Sequence, residues 1–468
     1  MTLQFIDNSS IDSNTRRLIR SHAAKGKNIG KGRPRRKPRP AEGSPLLSVG
    51  GPNEPLVARS ENAQRITIER PHFDAVSLCS TFELSSTSRR MFRQVFSFIR
   101  VELYPRQLEI AIEHDMASSM WVRFIFVDEA YFHCIIAMVS AISGFPLIGK
   151  EDSAESLRHL AHTFRLVNEK LSGREATADT TFAAVVAMTQ YYRLRGDHKQ
   201  GLVHLDGLRH MACMRGGISH LAQTHPALAR KIFRADLEFA LNLGTPTKFS
   251  HADIPSDHII KLLDNTTHTL SSLWLSTVFA QVPEDLREIT FEIFKLAQSI
   301  NAHTSSAQKI DGDLFHDVII FLGYRLNAIN PLSAPPISHG LSDMLCLGLQ
   351  SFMASFFAGL NRKMPSLPKL SARIKSVAVE PSHTSQSWHK LRLWMLFIGR
   401  TTILKQCEDS WVLPDIITSI RYLGISSPGG LQETLSQFPW VNLLHDDVCE
   451  RLYVKISTDL QIPPLLVI

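Results

Sequence analysis

Apolar side chains recur at helical spacing through the centre of the chain, and this pattern restricts the fold more than any other feature. Asp152 and Ser153 are residue types that begin helices, Glu155 fits a capping box, and Gly173 is the type that ends them. Between them the apolar positions follow at i, i+3, i+4 and i+7: Leu157, Leu160, Ala161, Phe164, Val167 and Leu171. The spacing predicts a helix with these residues on its core face.

Three further helices are predicted directly after the first. The second begins at Asp179 and ends at Gly196, the third ends at Gly216-Gly217, and the fourth has Pro226 in its first turn. Their predicted core faces are Phe182, Val185, Val186 and Thr189; Leu202, Leu205, Leu208 and Ala212; and Leu228, Ile232, Ala235 and Phe239. Since short loops join these helices, we expect them to be antiparallel neighbours.

Helical patterns continue to the end of the chain, at 284–301, 341–360, 386–406 and 414–423, whereas alternating strand-like patterns are scarce. We therefore predict an all-α fold, a multi-helix antiparallel domain preceded by a disordered basic tail. The tail covers 1–60 and the helical domain covers 61–468. Stretches rich in proline and serine, near 330–340 and 363–382, mark possible subdivisions of that domain.

Positive charge is concentrated in one short segment near the N-terminus. Eleven of the 51 Lys and Arg residues lie between Arg16 and Arg39, where there is no Asp or Glu, leaving 40 basic against 44 acidic residues elsewhere. Six prolines between Pro34 and Pro55 favour an extended linker. A cluster of Lys and Arg side chains in a segment without regular structure is typical of nuclear-import signals and phosphate-binding arms. We assign this role to Arg33, Arg35, Arg36, Lys37 and Arg39.

Contact between this segment and DNA is left open by the sequence. Gly32-Arg33-Pro34 among basic residues is similar to the core of an AT-hook, in which an extended Arg-Pro segment lies in the narrow minor groove. Lys31 stands where that motif usually has arginine. The alternative is a solvated import signal that touches no DNA.

Cysteine spacing excludes several classes of metal site. The six cysteines are far apart, with no C-x2-C pair, so zinc-finger, binuclear-cluster and iron–sulfur patterns are missing from the sequence. The polar and then basic N-terminus favours an intracellular protein without a secretory signal. The longest run without charge, 130–149, contains Gly144-Phe145-Pro146, so we interpret it as a buried helix and expect no membrane association.

Few residues suggest catalysis or metal binding. His159 and His162 lie three apart on the first helix, but His159 falls between predicted core positions and is expected to face solvent. Asp311-Gly312-Asp313, with His316 and Asp317, is interpreted as a turn and a helix cap in preference to a cation site. The other candidates are His445-Asp446-Asp447 near Cys449, Arg215-Gly216-Gly217 as a helix end, and Trp394, Phe397 and Trp440 as core anchors. No catalytic motif is present, so we expect no enzyme, cofactor or metal.

Three blocks of sequence resemble the fungal-specific transcription factor family, in the regulatory-domain class of filamentous fungi. The N-terminal block has Phe5 and RLIRSHA (17–23). The central block has FRLVNEKL (164–171), HLDGLRHM (204–211), MRGG (214–217) and KIFRAD (231–236). The C-terminal block has LWMLFIG (393–399), LGI (423–425) and LSQFPW (435–440).

This resemblance implies a helical regulatory domain, residence in the nucleus and control of transcription. Many members carry a binuclear zinc cluster of six closely spaced cysteines upstream, and this sequence lacks it. Neither zinc nor sequence-specific DNA binding is therefore carried over. We expect a nuclear transcription regulator whose partners are transcriptional co-regulators or related subunits, with self-association undecided. The alternative is a helical scaffold or accessory protein, derived from such a regulator, that does not bind DNA.

Overall fold

The structure is a computed structural model, and it describes residues 105–113, 119–141, 150–264, 282–337, 340–357, 367–378 and 385–460. Within these residues it has 16 α-helices, and its only strands are two residues long. The predicted all-α fold is confirmed. The predicted tail, 1–60, lies outside the described residues, and the domain boundaries stay predictions.

Seven helices make up the first half of the described chain. They are α1 (Met120–Val127), α2 (Glu129–Ala141), α3 (Lys150–Leu171), α4 (Asp179–Leu194), α5 (His198–Met214), α6 (Ile218–Thr224) and α7 (Pro226–Leu243).

Nine helices follow in the second half. They are α8 (Asp257–Asp264), α9 (Glu284–Thr304), α10 (Gly312–Ile329), α11 (Gly340–Ala354), α12 (Pro368–Ala378), α13 (Gln386–Thr402), α14 (Asp409–Leu423), α15 (Pro428–Leu435) and α16 (Asn442–Leu460). Two strands, β1 (Ile112–Glu113) and β2 (Ile310–Asp311), pair in parallel, with Ile112 opposite Ile310.

Local sequence signals explain where several helices begin and end. Pro226 is the first residue of α7, as predicted, because its missing N–H would have no partner there. Gly216 and Gly217 follow α5 with φ of 89° and 98°, a conformation that other residues rarely adopt, so the predicted helix end is confirmed. The predicted start of α3 is wrong, because the helix already begins at Lys150, before Asp152 and Ser153.

The core runs through the helices and brings distant segments into contact. The predicted core faces of α4 and α7 are buried throughout, and Leu205, Leu208 and Ala212 are buried on α5. Helix α13 is almost entirely buried and packs against α11, where Gly348 lies so close to the Trp394 ring that a Cβ there would overlap it. All described helices belong to one compact unit, and α10 packs against α11 across the segment between them.

The predicted buried helix in the charge-free run is confirmed as far as Ala141. Helix α2 buries Ala130, Phe132, Cys134 and Ile136. Among the described residues, no helix is both long enough and apolar enough to cross a bilayer.

Candidate functional site

The residues that the sequence favours for function are not the ones that the structure brings together. Arg33, Arg35, Arg36, Lys37 and Arg39 lie outside the described residues, so their role stays a prediction. In the described part of the chain, one group of three metal-ligating side chains converges: Glu129, His133 and His162.

Helices α2 and α3 supply these side chains. Glu129 and His133 are four residues apart on α2, and His159 and His162 are three apart on α3, so each pair lies on one helix face. Asp128 accepts a hydrogen bond from the Tyr131 N–H at 2.8 Å and also pairs with Lys170. The start of α2 is thereby fixed against the end of α3.

The predicted core face of α3 is correct in part, since Leu160 and Val167 are buried. Leu157, expected in the core, is 56% exposed, whereas His159, expected in solvent, is only 6% exposed. Polar side chains also contribute to the face that α3 turns toward α2. Ser156 donates to the carbonyl of Ala137 at 3.3 Å, and Thr163 donates to that of Ala130 at 3.4 Å.

The reason lies in the partner helix. Helix α2 presents His133 and the carbonyl groups of Ala130 and Ala137. Packing is therefore more stable when α3 faces α2 with side chains that can form hydrogen bonds to these groups. The pairs Ala130–Thr163 and Ala137–Ser156 run in opposite directions along the chain. Helices α2 and α3 are therefore antiparallel.

The Glu129 carboxylate lies between the two imidazole rings. Its Oε1 atom is 2.9 Å from Nε2 of His162 and 3.6 Å from Nε2 of His133. One ligand atom from each of the three residues can be chosen so that all lie within 4.8 Å of one another. The His133 and His162 rings meet edge to face, with their centroids 4.4 Å apart.

A second layer of contacts orients His133. Its Nδ1 atom lies 2.5 Å from Nδ1 of His159, and Nε2 of His159 lies 3.9 Å from the Glu155 carboxylate. One of the two Nδ1 atoms donates to the other. The second ring nitrogen of His133, Nε2, faces the Glu129 carboxylate at 3.6 Å.

The charge states at neutral pH suit a cation. Burial, with the neighbouring His159 and His162 rings, lowers the pKa of His133 to about 4. Burial likewise lowers the pKa of His159. The hydrogen bond from His162 lowers the pKa of Glu129 below its usual value. The site therefore combines the neutral rings of His133 and His159 with an ionised Glu129 carboxylate.

The other acidic candidates have structural roles. Asp311 caps α10 by accepting the Leu314 N–H at 2.8 Å, which confirms the predicted helix cap. Asp313 and Asp317 both pair with Arg230, at 2.7 Å and 2.6 Å. These carboxylates are held by a guanidinium group and a backbone amide.

Five of the remaining candidates are internal: His316, His445, Trp394, Phe397 and Trp440. Nε2 of His316 lies 2.5 Å from the Arg234 guanidinium, and His445 accepts the Val441 N–H at 3.0 Å. The predicted core anchors are all buried: Trp394, Phe397 and Trp440.

A buried carboxylate that the sequence did not single out links α7 to α10. Asp236 accepts the N–H groups of Lys248 at 2.9 Å and Phe249 at 3.1 Å, together with the hydroxyl of Tyr324 at 2.7 Å. Burial raises its pKa. These bonds satisfy the carboxylate within the fold, so we assign it a structural role.

One signal in the sequence would have pointed to the converging group. Glu129 and His133 have the four-residue spacing that places two ligands on one helix face, as His159 and His162 do at three. Spacing alone does not show that the two pairs face each other. A scan against family models found no match, and searches of curated proteins and of solved structures found no significant match.

Proposed function

We propose that this protein is a non-catalytic nuclear transcription regulator that acts through its helical body. The basic segment serves nuclear import, and the helical body binds co-regulators or a related subunit. The observation that carries the proposal is the segregation of charge. Eleven cations without a single acid occupy one short segment, whereas the rest of the chain has 40 basic and 44 acidic residues.

The helical body supports this proposal by its chemistry. The buried Glu238 carboxylate pairs with Arg193 at 3.1 Å and with Arg234 at 3.1 Å. Such internal pairing stabilises a fixed surface. The resemblance to fungal regulatory domains supports the same conclusion.

The test is localisation of the full chain fused to a fluorescent protein. Arg33, Arg35, Arg36, Lys37 and Arg39 are changed together to alanine. We expect the ratio of nuclear to cytoplasmic fluorescence to fall about tenfold, because a short cluster of cations is what an import receptor reads.

The matched control removes the same number of cations from the same segment: Arg16, Arg17, Arg20, Lys25 and Lys27 to alanine. We expect this variant to remain nuclear. Unchanged nuclear accumulation of the first variant, or equal loss in both, would contradict the role given to 33–39.

The second candidate function is a helical scaffold that does not bind DNA. The observation that favours it is the lack of a cysteine cluster in the sequence. Chromatin immunoprecipitation of the wild-type fluorescent fusion protein separates the two. Reproducible peaks at promoters favour the regulator, and a nuclear protein without such peaks favours the scaffold.

A further inference from the structure

We propose that Glu129, His133 and His162 bind one Zn²⁺ ion that links α2 to α3. This inference goes beyond the proposed function and does not depend on it. It also departs from the sequence-based expectation that the chain has no metal site. The carboxylate and two imidazoles supply three ligands, and water supplies the fourth.

The spacing of the donor atoms fits a tetrahedral ion. With metal–ligand bonds of about 2.0–2.1 Å, two ligands of a tetrahedral zinc are about 3.3 Å apart. The Oε1 atom of Glu129 lies 2.9 Å from Nε2 of His162 and 3.6 Å from Nε2 of His133. These two distances bracket the required value, and one ligand atom from each residue lies within 4.8 Å of the other two. Side-chain rotations would bring all three to the distances that the ion requires.

The chemistry of the donors selects the metal. Two imidazoles and a carboxylate with an open fourth position form a ligand set that zinc adopts in proteins. Glu129 and His162 are partly exposed, so the fourth position is accessible to water.

The contacts around His133 aim one of its ring nitrogens at Glu129. Its Nδ1 atom is held by His159 at 2.5 Å, and its Nε2 atom faces the Glu129 carboxylate at 3.6 Å. A metal ion between Nε2 and the carboxylate would be bound by both. His159 is thus a positioning residue, which holds the ligand ring as carboxylates and carbonyls do in other zinc sites.

Arg165 is a neighbouring cation that opposes the site, and its position leaves the ligand atoms accessible. One guanidinium nitrogen lies 3.2 Å from Nδ1 and 3.3 Å from Nε2 of His162. An atom nearly equidistant from both ring nitrogens lies over the ring face, so it does not block the Nε2 lone pair. Arg165 also pairs with Glu169 at 2.8 Å and is half exposed, so it can move away.

The test is zinc binding by the purified full chain after treatment with EDTA. Competition with a chromophoric chelator gives affinity and stoichiometry, and Co²⁺ substitution reports tetrahedral coordination by its visible spectrum. We expect one tight site per chain. Glu129→Gln and His162→Gln should each weaken binding by about tenfold or more, and His159→Gln by about tenfold.

The matched control has the same number of histidines as the His162→Gln and His159→Gln variants. His220→Gln removes an exposed histidine on α6, away from the site, and should bind zinc as the wild type does. Zinc should also raise the thermal midpoint of the wild type by roughly 2–4 °C, an increase that Glu129→Gln should lose. Glu129 is partly exposed, so this variant should fold without metal, which circular dichroism checks.

Three results would overturn the proposal: no saturable zinc site in the wild type, equal binding by all four variants, or a Co²⁺ spectrum without tetrahedral bands. The first would leave a metal-free hydrogen-bonded cluster in which His162 donates to Glu129. All of these readouts use purified protein. Failure of nuclear import in cells is therefore a separate outcome from failure of zinc binding.

Discussion

His445 is a histidine that the fold keeps neutral. Only 1% of its surface is exposed, and its Nδ1 atom accepts the Val441 N–H. Its Nε2 atom has no hydrogen-bond partner, and the aromatic rings of Phe352 and Trp440 flank it at centroid distances of 5.6 Å and 5.0 Å. Burial lowers its pKa to about 3.

The sign of the resulting pH dependence follows from this pKa. The unfolded chain binds a proton to this ring below about pH 6.5, whereas the folded chain does so only near pH 3. The unfolded state therefore binds more protons between these values, and the stability of the fold decreases as the pH is lowered. This ring alone should remove about 2 kcal/mol from the free energy of unfolding between about pH 7.5 and pH 5.

Urea unfolding at both pH values tests this prediction. In His445→Gln, the free energy of unfolding should decrease between about pH 7.5 and pH 5 by about 2 kcal/mol less than it does in the wild type. This difference does not depend on how stable the variant is at the higher pH. The exposed His220→Gln variant should behave as the wild type does. Identical pH dependence in all three proteins would refute the assignment.

At the same scale, large apolar residues were predictable and buried polar ones were not. Trp394 and Phe397 lie in an apolar run that any soluble fold must bury. His159 is buried because His133 and Glu155 provide partners, and both must be near it in space before the burial is favourable. Nothing in the local sequence shows that His133 lies opposite it.

At the scale of the element, α3 has two possible faces. The predicted core face carries Leu157, Leu160, Ala161, Phe164 and Val167, and the observed buried face carries Ser156, His159, Leu160, Thr163 and Val167. Leu160 and Val167 belong to both, and the hydrogen bonds to α2 turn the helix so that His159 is buried in place of Leu157. The sequence therefore predicted the helix but not its precise rotation.

Two leucines on this helix measure the rotation directly. Leu160 is 8% exposed and packs against Ala137 and Tyr191, whereas Leu157 is 56% exposed. Leu160→Ala should lower the free energy of unfolding by about 2–4 kcal/mol because it opens a cavity. Leu157→Ala should change it by less than about 0.5 kcal/mol. Urea unfolding of the two variants gives both values, and a larger loss for Leu157→Ala would restore the sequence-based orientation.

The ends and pairings of other elements show the same limit. Pro226 defined the start of α7 because proline has a direct local effect on the backbone. Helix α12 lies within 363–382, a stretch whose high content of serine and proline indicates a possible subdivision of the domain. A helix forms there because the surrounding helices bury Leu370, Ile374 and Val377. Likewise, the approach of Gly348 to Trp394 joins residues that no short pattern connects.

At the scale of the whole molecule, the order of apolar and charged residues predicted the class of fold and the segment that carries the positive charge. The spacing of apolar residues was sufficient for the all-α prediction, because helical periodicity repeats along most of the chain. The zinc site required contacts between helices whose ligands are up to 33 residues apart. Such contacts depend on how α2 and α3 pack.

The separation of charge predicts how the whole protein binds DNA, if it does so through the basic segment as an AT-hook-like arm. Each phosphate contact contributes about −0.9 to the slope of log K against log salt concentration. Changing Arg33, Arg35, Arg36, Lys37 and Arg39 to alanine should therefore make the slope shallower by about 4 to 5. Fluorescence anisotropy with a labelled duplex, between about 50 mM and 200 mM salt, measures this change.

Two comparisons make this result decide between the regulator and the scaffold. The variant that lacks Arg16, Arg17, Arg20, Lys25 and Lys27 should keep most of the wild-type slope, because only 33–39 has the Arg-Pro pattern that enters a minor groove. An A·T-rich duplex should bind more tightly than a G·C-rich one, because its narrow groove attracts guanidinium groups. Equal slopes for both variants would indicate diffuse attraction, and a wild-type protein that fails to bind either duplex would favour the scaffold. A steep slope that only the 33–39 variant loses would place chromatin contact in the segment and leave the helical body to recruit partners.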